Sequence, residues 1–538
     1  LTNGISNSVF RSRLYKLALM GRGPTKLFAL PPDCEERGVA PGDAARGRNI
    51  THGRFELAGK AHQLGESPWS VDWLTEDEAI VLHRFEWMGD LAALGTDDAR
   101  RSAENLLERW DEKFGTFTPV SWRADILADR VIACLTHFAE LFDDSDAPFH
   151  IRFLDSLARQ VRHLRRVVMT ETAALDRIPV LKGLIYGECC VVSEPERVAR
   201  ACAMLEEAIE TQILPDGSHV SRSPGRQLAL LEALIDIREV LTAASQEVPT
   251  GLRNAIDRMA PMTRFFRFTD GSLACFHGGG RPDPAHVDHV LNRSDAHGRA
   301  PKRAHYATFE RIEAGALTLI LDGGAPPDAP FDRDAHADMM SFELSAGAHR
   351  LFVNCGNADA AGRLWRQVLR TTAAHSTVVV GDTNSCALQE DGIGARPTEV
   401  DCDRGEQDGS IWISSSHNGY EPKFGLTHRR RLYVHEGDAD LRGEDILVGN
   451  QEHPFEIRFH LHPKVVVSLD ESATRITFSL PDGTRWRMRT ERPAALEESV
   501  YWDDATGIQP AMQLVIRAAT TGDATAIKWR LRRVEDET

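Results

Sequence analysis

Hydrophobic positions recur along this chain with two different periods, and the change from one to the other falls near Phe268. From Leu74 to that point apolar residues return every three or four positions, the spacing of one buried helix face. Thr75-Glu-Asp-Glu supplies a capping signature for a helix continuing through Phe85, Trp87 and Leu91. Further helices are predicted over Asp97–Phe114, Ser121–Phe142, Phe149–Val168, Pro179–Val192 and Pro195–Ile213, from Ser223-Pro224 to about Leu241, and over Gly251–Phe265. In the third of these helices Ile126, Val131, Leu135 and Phe138 recur at helical spacing. Val198, Cys202, Leu205 and Ile209 form one stripe behind Ser193 and Glu196, which stand at capping-box positions with Pro195 in the first turn. Ahead of Leu74 only Val9–Met20 carries a helical pattern. Successive helices with short polar loops imply an all-α unit of stacked hairpins.

After Phe268 short alternating runs take over: Leu317–Leu321, Ile411–Ser415, Arg431–Val434, Val465–Ser468, Arg475–Leu480, Trp486–Arg489, Gln513–Arg517 and Ile527–Leu531, with turns such as Pro481-Asp-Gly between them. Many short strands with few helices indicate a large antiparallel sheet or β-sandwich. The chain therefore divides into an irregular segment over residues 1–70, a helical domain over 71–268, a Gly/Pro-rich linker over 269–300 around GGGRPDPAH, and a β domain over 301–538.

A chain of 538 residues is too long for one ordinary core, in keeping with that division. No apolar run approaches the roughly 20 residues needed to span a bilayer. The opening LTNGISNSVFRSRLYKLALMGRG lacks a continuous apolar stretch and a small-residue cleavage site. Nine cysteines without metal-type spacing point to reduced thiols and a cytoplasmic setting, or to a periplasmic or secreted one if a segment ahead of Leu1 has been removed. Cys189-Cys190 lies inside a helical pattern, as a core pair would. The net charge of −17 argues against general nucleic-acid binding and against a basic membrane-docking surface. It leaves room for an acidic sugar, because the local field of a cleft decides that case. Gly278-Gly-Gly is followed by Arg-Pro and not by a helix, so no nucleotide cofactor is indicated.

Candidate chemistry concentrates in Ala335–Asn357 and Arg370–Val380. The first reads as two strands, Ser341–Ser345 and Arg350–Asn354, joined by a Gly-containing turn, with His336 and Asp338 before the first and Asn354 and Cys355 closing the second. His375 opens a third strand, Ser376–Val380. Two imidazoles with an amide or carboxylate from neighbouring strands match the ligand chemistry of a zinc-like cation; the alternative is that these residues cap strand ends. Five arginines fall near these stretches, Arg222, Arg226, Arg363, Arg366 and Arg370, and a planar guanidinium pairs well with carboxylate or sulfate.

The segments H-A-D-x-x-S-F-E-L from His336, V-N-C-G from Val353 and R-x-T-A-A-H-S-T from Arg370 resemble the signature of the heparinase II/III-like family. The resemblance is clear from about Leu181 to Leu461 and weak over the first hundred residues. It implies a multidomain α + β fold, an incomplete (α/α) toroid followed by a large antiparallel β-sandwich, with a polysaccharide-lyase cleft between them. It also implies β-elimination on an acidic, uronate-containing glycan such as a glycosaminoglycan, one Zn2+ or similar divalent cation, an acidic oligo- or polysaccharide as partner, and a homodimer as an option. Such a reaction neutralises the uronate carboxylate, removes the neighbouring proton and protonates the leaving oxygen.

Carried over position by position, the resemblance implies His336, Asn354 and His375 as metal ligands, with Cys355 as a substitute donor. Ser416-His417-Asn418-Gly419-Tyr420 and Thr427-His428-Arg429-Arg430 are similar to family segments that make Tyr420, His417 and His336 the proton-moving candidates. The helical-domain motif survives as D-G-S-H-V-S-R-S-P-G-R-Q, which retains His219 but puts Arg226 at the family's tyrosine and Gln227 at its next histidine. The family's Asn-His pair is replaced around Leu181-Lys182-Gly183, and its H-x-H reads Asp334-Ala335-His336. Tyr186 is a neighbour that could fill the tyrosine's space, or a core residue. His460 and His462 share one face of a strand as ligands or as sheet surface. Catalysis would then fall to His336, Tyr420, His417 and His219, and substrate binding to Arg222, Arg226, Gln227, Arg363, Arg370 and Asp334. Three functions follow in order: a lyase, a glycan-binding protein that has lost elimination, and a metal-dependent glycan hydrolase.

Overall fold

The computed structural model describes residues 9–34, 37, 42–143, 145–170, 172–357, 362–435, 437 and 439–534. The opening residues 1–8, part of the leader reading above, lie outside them. The chain forms two compact units: Leu1–Thr211 with Glu232–Ile256, and Gln212–Leu231 with Asp257–Thr538.

The first unit is helical, and its breaks follow local backbone needs. Thr75 caps the helix Glu76–Arg84: its backbone N–H donates to Glu78 Oε2 at 2.9 Å and its hydroxyl accepts from Glu78 N at 3.3 Å. That helix was expected to continue to Leu91, but Phe85 takes a left-handed conformation (φ 64°) and a new helix runs Trp87–Leu94. The turn lets the Phe85 ring pack against Trp69, Trp87 and Trp110, and that burial offsets the strain of a positive φ. The expected Ser121–Phe142 helix is likewise two, Ala124–Thr136 and Phe138–Phe142, divided at His137. Arg177–Gly187 passes into a wider turn over Glu188–Val192, closed by Ser193 at φ 53°. Ser193 therefore ends one element and does not cap the next; the following helix starts with Arg197 and Val198 donating to the Glu194 carbonyl. The irregular reading of residues 1–70 holds for long stretches only. Arg13–Leu19 and Ala44–Thr51 are helical, and Arg54–Leu57 pairs with Lys60–Gln63 as a hairpin.

The second unit contains a small hairpin, Leu388–Gln389 with Gly392–Ile393, and two large antiparallel sheets. One runs Ala494–Asp503, Gly507–Ala519, Pro454–Leu461, His349–Val353, Phe342–Ala346, Leu317–Asp322, Phe309–Ala314, Arg303–Ala304, with Val378–Val380 also pairing to Pro454–Leu461. The other runs Val400–Gln407, Ser410–Tyr420, Leu426–His435, Asp440–Val448, Ala524–Arg533, Arg485–Thr490, Arg475–Ser479, Val466–Leu469. Their facing side chains share one apolar core, in which Phe342 of the first sheet stacks on Trp529 of the second with ring centroids 5.9 Å apart. Alternation along Leu426–His435 of the second sheet is strict, with every other residue buried, so its other face looks outward. Residues expected as a bare linker include a helix, Pro284–Arg293, whose cap Asp283 accepts from Ala285 N. The motif around His219 belongs to this unit. Gln227 donates to the carbonyls of Gly217 and Met259, and Arg222 reaches the Leu317–Asp322 strand.

Candidate functional site: a buried histidine–aspartate–arginine cluster

Within the second unit the short turn Thr372–Ala374 and the loop after Asp334 run side by side, held by Ala337 N donating to the Arg370 carbonyl and by the Thr372 hydroxyl donating to the Ala337 carbonyl. This pairing sets His336 Nδ1 3.0 Å from His375 Nε2. His375 Nδ1 lies 2.8 Å from the Thr371 carbonyl, which only accepts, so Nδ1 carries the proton and Nε2 the lone pair. His336 Nδ1–H is then the donor between the rings. Asp338 Oδ2 is 4.0 Å from His375 Nε2, and His336, Asp338 and His375 together form a group of donors close enough to hold one cation.

A second layer adjoins it. His277 stands with Nε2 2.9 Å from Asp322 and Nδ1 3.2 Å from Asp338, and the three form another candidate metal group. Arg222, at φ 59°, donates Nε to the Ala307 carbonyl at 2.8 Å and Nη1 to the Ala325 carbonyl, and pairs Nη2 with Asp322. Burial alone would raise the Asp322 carboxyl. The Arg222 guanidinium and His277 outweigh it and hold that carboxyl below the usual range. For His336 burial comes first, followed by the neighbouring His375 and His277, and all push its pKa well down, so the ring is neutral. Burial likewise lowers His375, against the pull of Asp338.

The residues fit a divalent cation. Two neutral imidazoles and a carboxylate are a recognised zinc donor set, and the His375–Thr371 bond is the outer support that fixes a ligating ring. Asp338 Oδ1 is buried with His277 Nδ1 at 3.2 Å but outside hydrogen-bond geometry, which leaves it lone-pair capacity for an ion. Asn354, the expected third ligand, is engaged elsewhere: Oδ1 accepts from Ser376 N at 3.1 Å and Nδ2 donates to the Cys275 carbonyl at 3.1 Å. Asp338 is the carboxylate that stands with the two rings in the candidate group. Cys355 is also apart, with Sγ 3.4 Å from His460 Nδ1.

The remaining candidates are dispersed. Tyr420 is fully buried; its hydroxyl donates to the Val378 carbonyl at 2.7 Å, and burial pushes its pKa far up. His417, also buried, accepts from Gly419 N, and burial followed by His428 drives its pKa well down. His219 contacts Ser221 and Gln212, its pKa lowered to about 3 by burial and then Arg226. Gln227 accepts from His219 N, a structural brace. Arg370 donates to the carbonyls of Ala335, Gln389 and Gly392, which leaves little of it for a substrate carboxylate. Arg363 is exposed and pairs with Glu390 at 2.8 Å. Arg226 pairs with Asp334, which Arg366 also meets at 3.0 Å; burial opposes but the three flanking arginines hold its carboxyl down. Tyr186 is a core residue of the helical unit, and Lys182 pairs there with Asp236. His460 Nε2 meets the Ala373 carbonyl at 3.0 Å, and His462 packs against Tyr501. Sequence reasoning passed over His277 and Asp322. Their only signals were a histidine ahead of three glycines and an aspartate ending an apolar strand.

A family model for heparinase II/III-like C-terminal regions matches residues 296–530. FtsZ-localized protein C of Caulobacter vibrioides (strain NA1000 / CB15N) is 31% identical over 555 residues, which cover 98% of this chain and 93% of that protein. Among solved structures, heparinase III matches with a TM-score of 0.76 at 14% identity, over 100% of this chain and 90% of that one. A mutant of the heparan sulfate lyase HepC from Pedobacter heparinus matches at 0.66 and 16%, over 92% and 83%. At these identities the structural likeness is one of fold, a helical N-terminal region followed by an antiparallel β-sandwich.

Proposed function

Because this chain belongs to the heparinase II/III-like family, we propose that it recognises an acidic, uronate-type polysaccharide and does so without β-elimination. The observation that carries this reading is the fate of the proton-moving groups. Arg226 stands where the family's tyrosine would be and is paired with Asp334. Tyr420, His417 and His336 are each buried, with pKa values displaced away from the range a neutral-pH acid or base needs. What remains is binding chemistry: Arg226 and Arg333 beside Asp334, partly exposed, offer guanidinium groups to an anionic sugar.

The test is a panel of uronate-containing oligosaccharides, with binding followed calorimetrically and product followed in the near ultraviolet. Binding without an unsaturated product, weakened several-fold by Arg226→Ala, is the expected result. An unsaturated product whose formation stops in Tyr420→Phe or His336→Ala would restore the lyase. Cleavage without the chromophore that requires His375 would favour the hydrolase.

A second reading has its own support in the full-length relative, whose name places it with FtsZ. On that reading this chain also localises with FtsZ. Co-sedimentation with FtsZ polymers is the measurement, and absence from the pellet counts against it.

A further inference from the structure

The outward face of the eight-stranded sheet concentrates positive charge on an acidic protein. Register sets one row straight across six strands: Trp412 opposite Tyr433, Tyr433 opposite Arg442, Arg442 opposite Arg530, Arg530 opposite Arg489, and Arg489 opposite Arg475. Like charges directly opposite one another destabilise a sheet. Asp440 relieves the first arginine pair, lying 3.1 Å from Arg442 and 2.5 Å from Arg530. Nothing comparable lies along Arg530–Arg489–Arg475, since Arg489 and Arg475 form no ion pair among the described residues. Around this row Arg431 and Lys528 lie 3.6 and 3.8 Å from Glu444, and Glu491 accepts from Lys528 N at 3.0 Å. On the outward side of the other sheet the charges cancel locally, with Arg517 joining Glu456 at 2.9 Å and Glu497 at 2.6 Å.

The aromatic end of the row is built flat. Gly405 faces Trp412 across the strands, and a Cβ there would overlap the indole, so the ring lies down over position 405 with its other face in solvent. Trp412 is 40% exposed and Tyr433 36%. Tyr433 is held by Ser410 at 3.0 Å and by the Arg442 guanidinium 5.5 Å from its ring centre. A shallow groove of about 730 Å³ runs over these residues.

We propose that this face binds an anionic polysaccharide, sugar rings stacking on Trp412 and Tyr433 and carboxylates or sulfates pairing with Arg530, Arg489 and Arg475. A glycan suits the face better than a peptide. These strands are paired on both sides, so no free edge offers backbone hydrogen bonds, and recognition falls to ring faces and guanidinium forks. Neighbouring arginines stand one strand spacing apart, about 4.8 Å, close to the length of one pyranose unit in an extended chain. This surface is separate from the Arg226–Asp334 site and does not rest on the reading given for that site.

The experiment titrates the full chain with a heparin octasaccharide at low ionic strength, both unaltered and as Arg226→Ala. Arg475→Glu with Arg489→Glu should weaken binding about tenfold or more in both backgrounds and flatten its salt dependence. Trp412→Ala should weaken it with the salt dependence retained. Unchanged affinity in the charge-reversed variant, with an unaltered melting temperature, would overturn the proposal. So would a polyglutamate peptide, a single-stranded oligonucleotide or phosphatidylglycerol vesicles binding this face as tightly as the octasaccharide. Loss of binding in Arg226→Ala alone would assign the octasaccharide to the other site and also overturn it.

Discussion

Arg222 and Arg489 are guanidinium groups of the same unit. Arg222 is 6% exposed and saturated by Asp322 and two backbone carbonyls, whereas Arg489 stands in solvent without an ion pair among the described residues. The difference extends to their surroundings. Around Arg222 the buried side chains of His277, Asp322, Asp338, His336 and His375 hold one another, and their charge is cancelled inside the fold. Around Arg489 the charge is left over. The buried cluster is therefore first of all architecture, whereas the charge of the outward row stays exposed to solvent.

Removing the buried guanidinium separates the two regions most sharply. Arg222→Met strips the guanidinium from Asp322 at 0% exposure and leaves it only His277 and Gly324 N, and the expected loss is about 3–5 kcal/mol, read from urea unfolding midpoints. Combining it with Asp322→Asn should recover part of that loss, because the uncompensated charge goes with it. A single variant within about 0.5 kcal/mol of the parent would mean that the cluster is not structural.

Acid should act on the buried region in two stages. His219 and His460 have pKa values lowered to about 3 by burial, whereas an unfolded imidazole titrates near 6.5. Between those values the unfolded chain binds more protons, so stability falls as the pH drops below about 6.5, by up to about 1.4 kcal/mol per pH unit for each ring. Asp322 and Asp334, held below the usual carboxylate range, keep their full contribution above an unfolded value near 3.9 and lose it only further down. Melting temperatures from pH 6.5 to 5 should decline less steeply in His219→Gln. An unchanged slope would remove His219 from the account.

How much of this was legible in the sequence depends on what kind of constraint set each feature. Period-2 alternation located the strands from Ile411 to Leu531, because each buries one face. Period-3.6 spacing located the helices but not their breaks at Phe85 and His137. At Phe85 aromatic packing in three dimensions holds a left-handed residue, and no local pattern records it. The pairing of His336 with His375 was expected from strand-end motifs and is present at 3.0 Å. Asn354, carried over as the third ligand, bonds Ser376 N and the Cys275 carbonyl, whereas Asp338 stands with the two rings; such partners are set by contacts between loops that no local pattern records. The basic row was hidden for another reason. Arg442, Arg530, Arg489 and Arg475 are spread over 89 positions and meet only through register.

Cobalt titration sharpens the comparison at intermediate size. Co2+ at about a hundredfold excess over its dissociation constant should stabilise the chain by about 2.7 kcal/mol, with a visible absorption band from His336, Asp338 and His375. Asp338→Asn or His375→Ala should abolish the band. Asn354→Ala should retain it at reduced stability, since that side chain bonds Ser376 N and the Cys275 carbonyl. A band lost in Asn354→Ala and kept in Asp338→Asn would reverse the assignment.

The smallest effect belongs to the exposed row, and its sign is what matters. Arg489 lies directly between Arg530 and Arg475. Its replacement by glutamate turns two like-charge neighbours into opposite-charge ones at positions where cross-strand pairs contribute about 0.2–1 kcal/mol. Arg489→Glu should therefore leave the urea midpoint unchanged or raise it slightly at low salt, with the gain fading as salt screens the pair. A residue that the fold would be no worse without, standing beside two that it repels, is one whose reason for being there lies outside the fold. If Arg489→Glu instead destabilises by 1 kcal/mol or more, the row is structural after all and the contrast with Arg222 disappears.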